Sequence, residues 1–212
     1  NLFNLVRKKV LILDADNTLW SGIVGEEGVD GIDIDENFPG ITYRFFQQQL
    51  KFIKDSGILL VLVSKNNFSD IEDVFRKKNM PLKWDDFVIK KINWSPKSQN
   101  IREISEELNV GLESFIFIDD SDFELAEVSG LLGIDCVKFS TMSPIENLNI
   151  FDGLISVKTL NITQEDKGKS DQYLEESLRK FSQQSFSTVE NYLESINMKI
   201  CLHLNDTSQI KR

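Results

Sequence analysis

The 212-residue chain contains one histidine, two cysteines and four prolines, and it has no long apolar run. A membrane-spanning helix needs about 20 apolar residues, so the sequence predicts no membrane segment, and no signal-peptide pattern opens the chain. Cys136 and Cys201 lie far apart without the spacing of a metal site, which favours buried, reduced thiols of an intracellular protein. We therefore expect a cytoplasmic protein.

The chain also lacks an excess of basic residues. Its 34 acidic and 24 basic side chains give a formal net charge of -10. Non-specific binding of nucleic acid needs a basic face that neutralises phosphates, so we expect no nucleic-acid partner. An anionic substrate would have to be held by local lysines. The hydrophobic fraction of 41% is enough for the buried core of one α/β domain with an appendage.

Short apolar runs alternate with helical periodicity, which predicts βαβ units in a doubly wound parallel sheet. The expected strands are Val10–Leu13, Ile58–Val63, Phe87–Ile92, Phe115–Ile118 and Ile134–Val137. The expected helices are Tyr43–Ser56, Asp70–Lys78 with Ser69 as its N-cap, Lys97–Leu108 and Phe123–Ser129. The sheet should end near Phe139, within a catalytic core of residues 1–150 that has a small flap at about 20–40. For residues 151–212 we expect a helical arm that leads to a following, truncated region.

Polar side chains follow three of these strands where each strand ends. They are Asp14, Asp16 and Thr18, then Ser64, Lys65 and Asn66, and finally Asp119 and Asp120, while Lys97 begins a helix between the last two groups. Open parallel sheets bind ligands at the carboxyl ends of their strands, so we expect these side chains at one edge. Clustered carboxylates repel one another unless a cation lies among them, and Mg²⁺ prefers oxygen ligands. The predicted Mg²⁺ ligands are Asp14, Asp16, Asp119 and Asp120.

This arrangement predicts phosphoryl transfer with a distinct task for each residue. Asp14 would attack phosphorus and form an aspartyl phosphate. Asp16 would protonate the leaving oxygen and later activate water. Ser64 would donate a hydrogen bond to a phosphoryl oxygen, with Thr18 as a further phosphate contact, and Lys97 would offset the charge of the transition state.

Four stretches are similar, in the same order, to the motifs of the haloacid dehalogenase (HAD) superfamily: LILDADNT, LVLVS, the Lys97 of SPKSQN, and FIFIDDS. Longer stretches resemble its FkbH-like subgroup, which occurs in polyketide and nonribosomal peptide assembly lines: DADNTLWSGIVGEEG, SKNN, NWSPKSQNI and EELNVGLESFIFIDD. The similarity covers roughly residues 8–200. It implies a HAD-like Rossmannoid fold with a minimal cap and a Mg²⁺ cofactor.

The resemblance also implies a function. Such a domain takes 1,3-bisphosphoglycerate, a phosphorylated three-carbon acid, removes its phosphate and delivers a glyceryl-type unit to the phosphopantetheine thiol of an acyl carrier protein. By matching position, Asp14 and Asp16 would be the catalytic pair, Ser64 and Lys97 the phosphate contacts, and Asp119 a metal ligand, with Asp120 matching less closely. Lys65 and Asn66 would hold the second anionic end of the substrate.

One departure from the subgroup concerns acyl transfer. Members often have Cys-Ser-Lys-Asn at the second motif, and a cysteine thioester has been part of the proposed acyl relay, whereas this chain has Val63 there. Either the carrier thiol attacks the acyl phosphate directly, or another nucleophile serves, or acyl transfer is altered in this chain. Cys136 is a poor substitute for the missing cysteine.

The stretch Ser21–Gly40 and the segment between Ser64 and Lys97 are too short for a large cap, so we expect an open site that suits a pantetheine arm.

Three other functions remain as alternatives. The first is an ordinary HAD phosphatase that acts on a small metabolite or a phosphoprotein. The second is a phosphoaspartate receiver, but receivers place their paired acids after the first strand and the phosphorylated Asp after a later one, which is the reverse of the order here. The third is a catalytically inactive docking module, which the intact set of acids argues against.

Overall fold

The computed structural model describes residues 8–152 and Gln172. All of them belong to Asn1–Leu174, the first of the two units into which the chain divides. Within these residues, no helix is both long and apolar enough to cross a membrane. The predicted helical arm at 151–212 lies outside the described residues, apart from Phe151, Asp152 and Gln172, and so does His203, the one histidine of the chain.

The described residues form a five-stranded sheet in which every pair of neighbouring strands is parallel. Its strands are β1 (Val10–Leu13), β2 (Leu59–Ser64), β3 (Phe87–Ile92), β4 (Phe115–Asp119) and β5 (Asp135–Lys138). Their spatial order is β3-β2-β1-β4-β5, so the first strand lies in the centre and the chain winds outward on both sides. This arrangement confirms the predicted doubly wound α/β fold, and it puts a ligand crevice at the carboxyl end of β1.

Five helices cover the two faces of this sheet. They are α1 (Val24–Gly31), α2 (Gly40–Asp55), α3 (Phe68–Lys77), α4 (Lys97–Leu108) and α5 (Asp122–Leu132). Successive strand residues point to opposite faces, so Leu11 and Leu13 pack in one core cluster with α2 and α3. Val10 and Ile12 pack in the other cluster, with α4 and α5. Both faces are therefore buried, which explains why β1 and β2 are unbroken apolar runs.

The bounds of β1, β3 and α4 agree with the prediction, and the other predicted elements differ by a few residues. The prediction of Ser69 as an N-cap is wrong, because α3 begins at Phe68 after the extended residue Asn67. The Ser69 hydroxyl donates instead to Asp70. Helix α1, inside the expected flap, was not predicted, since its eight residues include three glycines and Gly28 interrupts it with a φ of 70°.

The core continues beyond Phe139, where the sheet was expected to end. A 3-10 helix at Pro144–Asn149 packs on α2, where Gln49 Nε2 donates to the Leu148 carbonyl at 2.8 Å. The Phe151 ring stacks on Phe46 with 5.7 Å between centroids and 9° between planes. Residues 140–151 therefore extend the core over α2.

Candidate active site

The predicted nucleophile follows β1 at the centre of the carboxyl edge. The Asp14 amide donates to the Ile118 carbonyl at 3.1 Å, which continues the β1–β4 ladder by one residue and holds the Asp14 backbone in place. Asp14 is only 7% exposed. One carboxylate oxygen from each of Asp14, Asp119 and Asp120 lies within 4.8 Å of the others. The structure thus brings together three of the four predicted metal ligands.

Lys97 lies among these carboxylates, at the first position of α4, and is 3% exposed. Its Nζ is 2.8 Å from Asp14 Oδ1 and 2.5 Å from Asp119 Oδ2. Burial lowers the pKa of Lys97, but the charges of Asp14 and Asp119 outweigh that effect, so the net pKa is above its usual range. The ammonium therefore stays charged and neutralises one of the three carboxylates.

The two adjacent acids after β4 have different environments. Asp119 is fully buried, and both of its oxygens have partners, because Oδ1 accepts from the Ser121 amide at 2.8 Å and Oδ2 faces Lys97. Burial, followed by the charge of Asp14, raises the pKa of Asp119 to about 6. Asp120 is half-buried, and burial followed by Asp14 raises its pKa as well. Asp120 is thus the more accessible ligand, although the sequence favoured Asp119.

The Asp16 carboxylate, the fourth predicted ligand, does not join this cluster and points into the flap instead. Its Oδ1 accepts from Trp20 Nε1 at 2.9 Å and from the Val24 amide at 3.1 Å. Its Oδ2 accepts from Asn66 Nδ2 at 2.9 Å. Burial raises the pKa of Asp16, and these hydrogen bonds only partly offset the rise. A carboxyl group with a raised pKa suits the predicted exchange of a proton.

The polar residues after β2 divide between two sides of the site. Asn66 donates from the same Nδ2 atom to Asp16 and, at 3.2 Å, to Ser64 Oγ, so it links the second motif to the first. Ser64 and Asn66 are 2% and 6% exposed, and Thr18 is fully buried with no hydrogen-bond partner for its hydroxyl among the described residues. Asn66 therefore holds Asp16, whereas the sequence assigned it to a substrate anion.

Lys65 points away from this network and forms an ion pair with Glu124 of α5. The distance from Lys65 Nζ to Glu124 Oε1 is 2.5 Å, and the Lys65 side chain is 30% exposed. Glu124 was not identified from the sequence. The available signal was its position in the first turn of the helix after Asp119 and Asp120, but an acid at that position is also typical of ordinary helices.

The flap is small, and the segment between β2 and α4 contains only α3, a 3-10 turn and β3, so residues 14–96, all described, include no separate cap domain. Two backbone hydrogen bonds of 2.9 Å between Ser21 and Asp33 close the base of the flap. Large hydrophobic side chains remain exposed in the segment between β2 and α4, among them Phe68 (50%) and Trp94 (69%). This geometry agrees with the predicted minimal cap.

No thiol replaces the expected cysteine among the described residues. Val63 is fully buried in β2. Cys136 is half-buried in β5 rather than fully buried as predicted, and burial, with Asp135 and Asp119 nearby, raises its pKa to about 11. A thiol with that pKa carries very little thiolate at neutral pH, so Cys136 is a poor nucleophile. Cys201 lies outside the described residues.

The donor set fits a hard divalent cation. The three clustered carboxylates carry three negative charges and Lys97 carries one positive charge. Two negative charges remain, and a divalent cation would balance them. All candidate ligands are carboxylate oxygens, the type that Mg²⁺ prefers. Asp14 Oδ1 is buried, pairs with Lys97 and accepts no hydrogen bond of normal geometry. Asp14 and Asp120 are therefore the residues best placed to hold the ion.

Comparison with known proteins gives matches among solved structures. No family model and no curated protein sequence matches the chain. Among solved structures, the N-terminal part of the protein BF1531 from Bacteroides fragilis, which contains a phosphatase domain complexed with Mg, is 32% identical with a TM-score of 0.64. The match covers 74% of this chain and 41% of that one, so this chain spans less than half the length of its relative.

Two other solved structures are more distant. A HAD-family enzyme from Bacteroides thetaiotaomicron with magnesium and inorganic phosphate is 13% identical with a TM-score of 0.46, over 64% of this chain and 96% of that one. The cobalt-bound deoxy-D-mannose-octulosonate 8-phosphate phosphatase from Haemophilus influenzae is also 13% identical, with a TM-score of 0.44, over 92% and 98% of the two chains. The predictions of a phosphatase-type enzyme and of Mg²⁺ agree with the phosphatase domain and the bound Mg of the Bacteroides fragilis relative.

Proposed function

We propose that this domain, which has the HAD-like Rossmannoid fold, is a magnesium-dependent phosphoryl-transfer enzyme with Asp14 as its nucleophile. One observation carries this proposal. Carboxylates from the ends of two adjacent parallel strands lie within 4.8 Å of one another, around a buried lysine. Such a cluster is costly in a folded protein unless it binds a cation and an anionic substrate.

The roles of the residues follow from their positions. An Asp14 oxygen attacks phosphorus, and the bond from phosphorus to the leaving oxygen breaks while Asp16 donates a proton to that oxygen. Water then attacks the aspartyl phosphate, Asp16 takes back a proton, and inorganic phosphate leaves. Ser64 donates to a phosphoryl oxygen, and Lys97 offsets the negative charge of the transition state. Asp14 and Asp120 would hold Mg²⁺, whose charge would reduce the repulsion between the carboxylate and the phosphoryl group.

We further propose that the substrate is a 1,3-bisphosphoglycerate-type donor and that the product is a glyceryl-type unit on an acyl carrier protein. The two phosphates of such a donor require two different steps. Attack by Asp14 breaks the phosphorus–oxygen bond of the phosphate ester. The phosphoryl group passes to Asp14, and the rest of the donor leaves with a free hydroxyl group. Loading of the acyl group breaks the carbon–oxygen bond of the acyl phosphate, when a thiolate attacks the carbonyl and phosphate leaves.

The surroundings of the site support direct attack by the carrier thiol. The site has only a small flap, which leaves room for a phosphopantetheine arm. Cys136 has a raised pKa, and Val63 stands where the FkbH-like subgroup often has a cysteine. Without a suitable thiol among the described residues, the pantetheine thiolate is the nucleophile that remains for the acyl step.

Intact-mass analysis of the carrier protein tests this proposal. The holo carrier is incubated with the domain, Mg²⁺ and the bisphosphorylated donor, and the pantetheine arm should gain the mass of a glyceryl unit. The Asp14→Asn variant, which is nearly isosteric, should release no phosphate from the ester end. An unmodified carrier together with rapid hydrolysis of phosphate monoesters would instead favour the second candidate, an ordinary HAD phosphatase, as the description of the Bacteroides fragilis relative suggests. Release of the ester-end phosphate by Asp14→Asn would refute the nucleophile assignment.

A further inference from the structure

The loop between β3 and α4 carries Lys97 to the reaction centre. β3 is an edge strand of the sheet and lies two positions from β1. Neighbouring strands are about 4.8 Å apart, so the loop starts roughly 10 Å from the strand that precedes Asp14. Lys97 Nζ nevertheless lies 2.8 Å from Asp14 Oδ1. The ammonium reaches this place because the loop, residues 93–96, directs the first turn of α4 towards the centre of the sheet.

Burial of apolar side chains does little to fix this loop. Trp94 and Pro96 are exposed, and Ser95 is half-buried. The indole N–H of Trp94 donates to Asn67 Oδ1, but this contact is long, at 3.4 Å, and lies at the surface. The loop therefore depends on polar contacts at its two ends.

Asn93 and Asn100 form a reciprocal pair of side-chain hydrogen bonds that closes the loop. Asn93 Nδ2 donates to Asn100 Oδ1 at 3.2 Å, and Asn100 Nδ2 donates to Asn93 Oδ1 at 2.9 Å. Asn93 Oδ1 also accepts from the Ser95 amide at 3.0 Å. A backbone amide is always a donor, so this contact fixes the orientation of the Asn93 side chain. The pair joins the start of the loop to the first turn of α4, with Lys97 between its two members.

The same pair connects this helix with the second motif. The Asn93 amide donates to the Ser64 carbonyl at 3.2 Å, which continues the β2–β3 ladder by one residue. Asn100 is 2% exposed, so its side-chain amide is shielded from water. Each amide presents one donor and one acceptor to the other, and loss of either member would leave buried polar atoms of the other without their partner. The pair thus links the backbone at Ser64 to the helix turn that carries Lys97.

We propose that Asn93 and Asn100 are positioning residues that hold Lys97 where it offsets the negative charge of the phosphoryl transition state. The inference rests on the proposed function, in which the phosphoryl group binds at Asp14. Both amides act through Lys97, since their side chains bind each other and the loop. A displacement of about 1 Å in a group that stabilises a transition state can lower the rate about 100-fold. Without the pair, the first turn of α4 is free to move by such a distance.

Binding of orthovanadate tests this proposal, because vanadate mimics pentacoordinate phosphorus and a transition-state analogue depends most on groups that act in the transition state. Isothermal titration calorimetry with saturating Mg²⁺ gives the Kd of vanadate and that of inorganic phosphate. Asn100→Ala should raise the Kd of vanadate about 10- to 100-fold, the usual size of a hydrogen bond to a charged group, and the Kd of phosphate about 3-fold or less. Lys97→Met should show the same pattern.

Two further variants separate positioning from general damage. Asn93→Ala breaks the same pair from its half-buried side, so it tests the proposal even if Asn100→Ala does not fold. Gln99→Ala is the matched control, because this exposed amide of the same helix turn donates only to Glu103, at 3.1 Å, among the described residues. Both Kd values should be unchanged in the control. A general loss of stability would weaken vanadate and phosphate by the same factor.

The possible outcomes distinguish this inference from the proposed function. If the pair variants weaken both ligands equally, or leave vanadate binding unchanged, the inference is refuted while the proposed function stands. A wild-type domain that does not bind vanadate in the presence of Mg²⁺ would refute both.

Discussion

Replacing Lys97 with methionine should destabilise the metal-free domain strongly. The change keeps most of the side-chain volume but removes the ammonium that lies 2.8 Å from Asp14 and 2.5 Å from Asp119. Because Asp119 is fully buried, its charge would lose its main partner. Breaking such a buried ion pair typically costs about 3–5 kcal/mol. For a chain of this size, that cost corresponds to a fall in melting temperature of about 6–20 °C.

The cost of Lys97→Met should grow with pH. Lys97 itself stays protonated below about pH 10, so its own titration does not contribute near neutrality. Asp119 has a folded-state pKa of about 6, above its usual 3.8, so ionising it reduces stability as the pH rises through that interval. Lys97 lowers the pKa of Asp119, so the variant should have a still higher pKa. The free energy of unfolding of the Lys97→Met variant should therefore keep falling above pH 6, whereas that of the wild-type protein has levelled off there.

Thermal unfolding followed by circular dichroism measures both effects, with EDTA present and at pH 5 and pH 8. Lys138→Met is the matched control, because its partner Asp122 and Lys138 itself are exposed, and such pairs contribute about 1 kcal/mol or less. The Lys97 variant should melt well below this control at pH 8 and closer to it at pH 5. Equal melting temperatures for both variants at pH 8, or a gap that does not narrow at pH 5, would contradict the reasoning.

Other predictions concern catalysis, metal binding and the core. Asp16→Asn should slow single-turnover release of phosphate by about 10²–10⁴-fold, as is usual for loss of a general acid–base group, with an unchanged circular dichroism spectrum. Asn66→Ala removes a hydrogen bond that lowers the pKa of Asp16, so the alkaline limb of the kcat/KM profile, which needs protonated Asp16, should move to higher pH. Mg²⁺ at 100 times its Kd should stabilise the wild type by about 2.7 kcal/mol in thermal melts, and Asp120→Asn should lose most of that gain. Phe139→Ala removes a ring that packs 4.9 Å from Phe46 between centroids, which should cost about 3–5 kcal/mol in urea unfolding.

The fold and the cluster of acids at the carboxyl edge of the sheet were largely predictable from the sequence because they depend on strong local signals. Apolar runs buried on both faces identify parallel strands, and β1, β3 and α4 were located to the residue. The acids that end β1 and β4 then follow from the geometry of parallel sheets, which brings the carboxyl ends of neighbouring strands together. Asp14, Asp119 and Asp120 are close for this reason.

The direction in which each side chain points was not predictable from the sequence. Spacing places Asp16 beside Asp14, yet its carboxylate binds Trp20, Val24 and Asn66 instead of joining the cluster. The contact of Glu124 with Lys65 was also not predicted, because the two residues are 59 positions apart and no local sequence pattern indicates it. Residue spacing predicts which residues share an edge, whereas their orientation depends on contacts that only the folded chain defines.

The contacts of Asp16 also give the flap a function other than that of a lid. A large cap would exclude water from the site, but the flap here is one short helix with its preceding turn. Two of the three hydrogen bonds to the Asp16 carboxylate come from this segment, from Trp20 Nε1 and the Val24 amide. Trp20 is fully buried in the core, so its indole N–H holds a nearly constant position. Burial raises the pKa of Asp16, and these two bonds lower it together with the larger effect of the Asn66 bond, so the flap contributes to the proton affinity of Asp16. The proposed transfer to a carrier protein requires both features, a carboxyl group of suitable proton affinity at Asp16 and access for a phosphopantetheine arm.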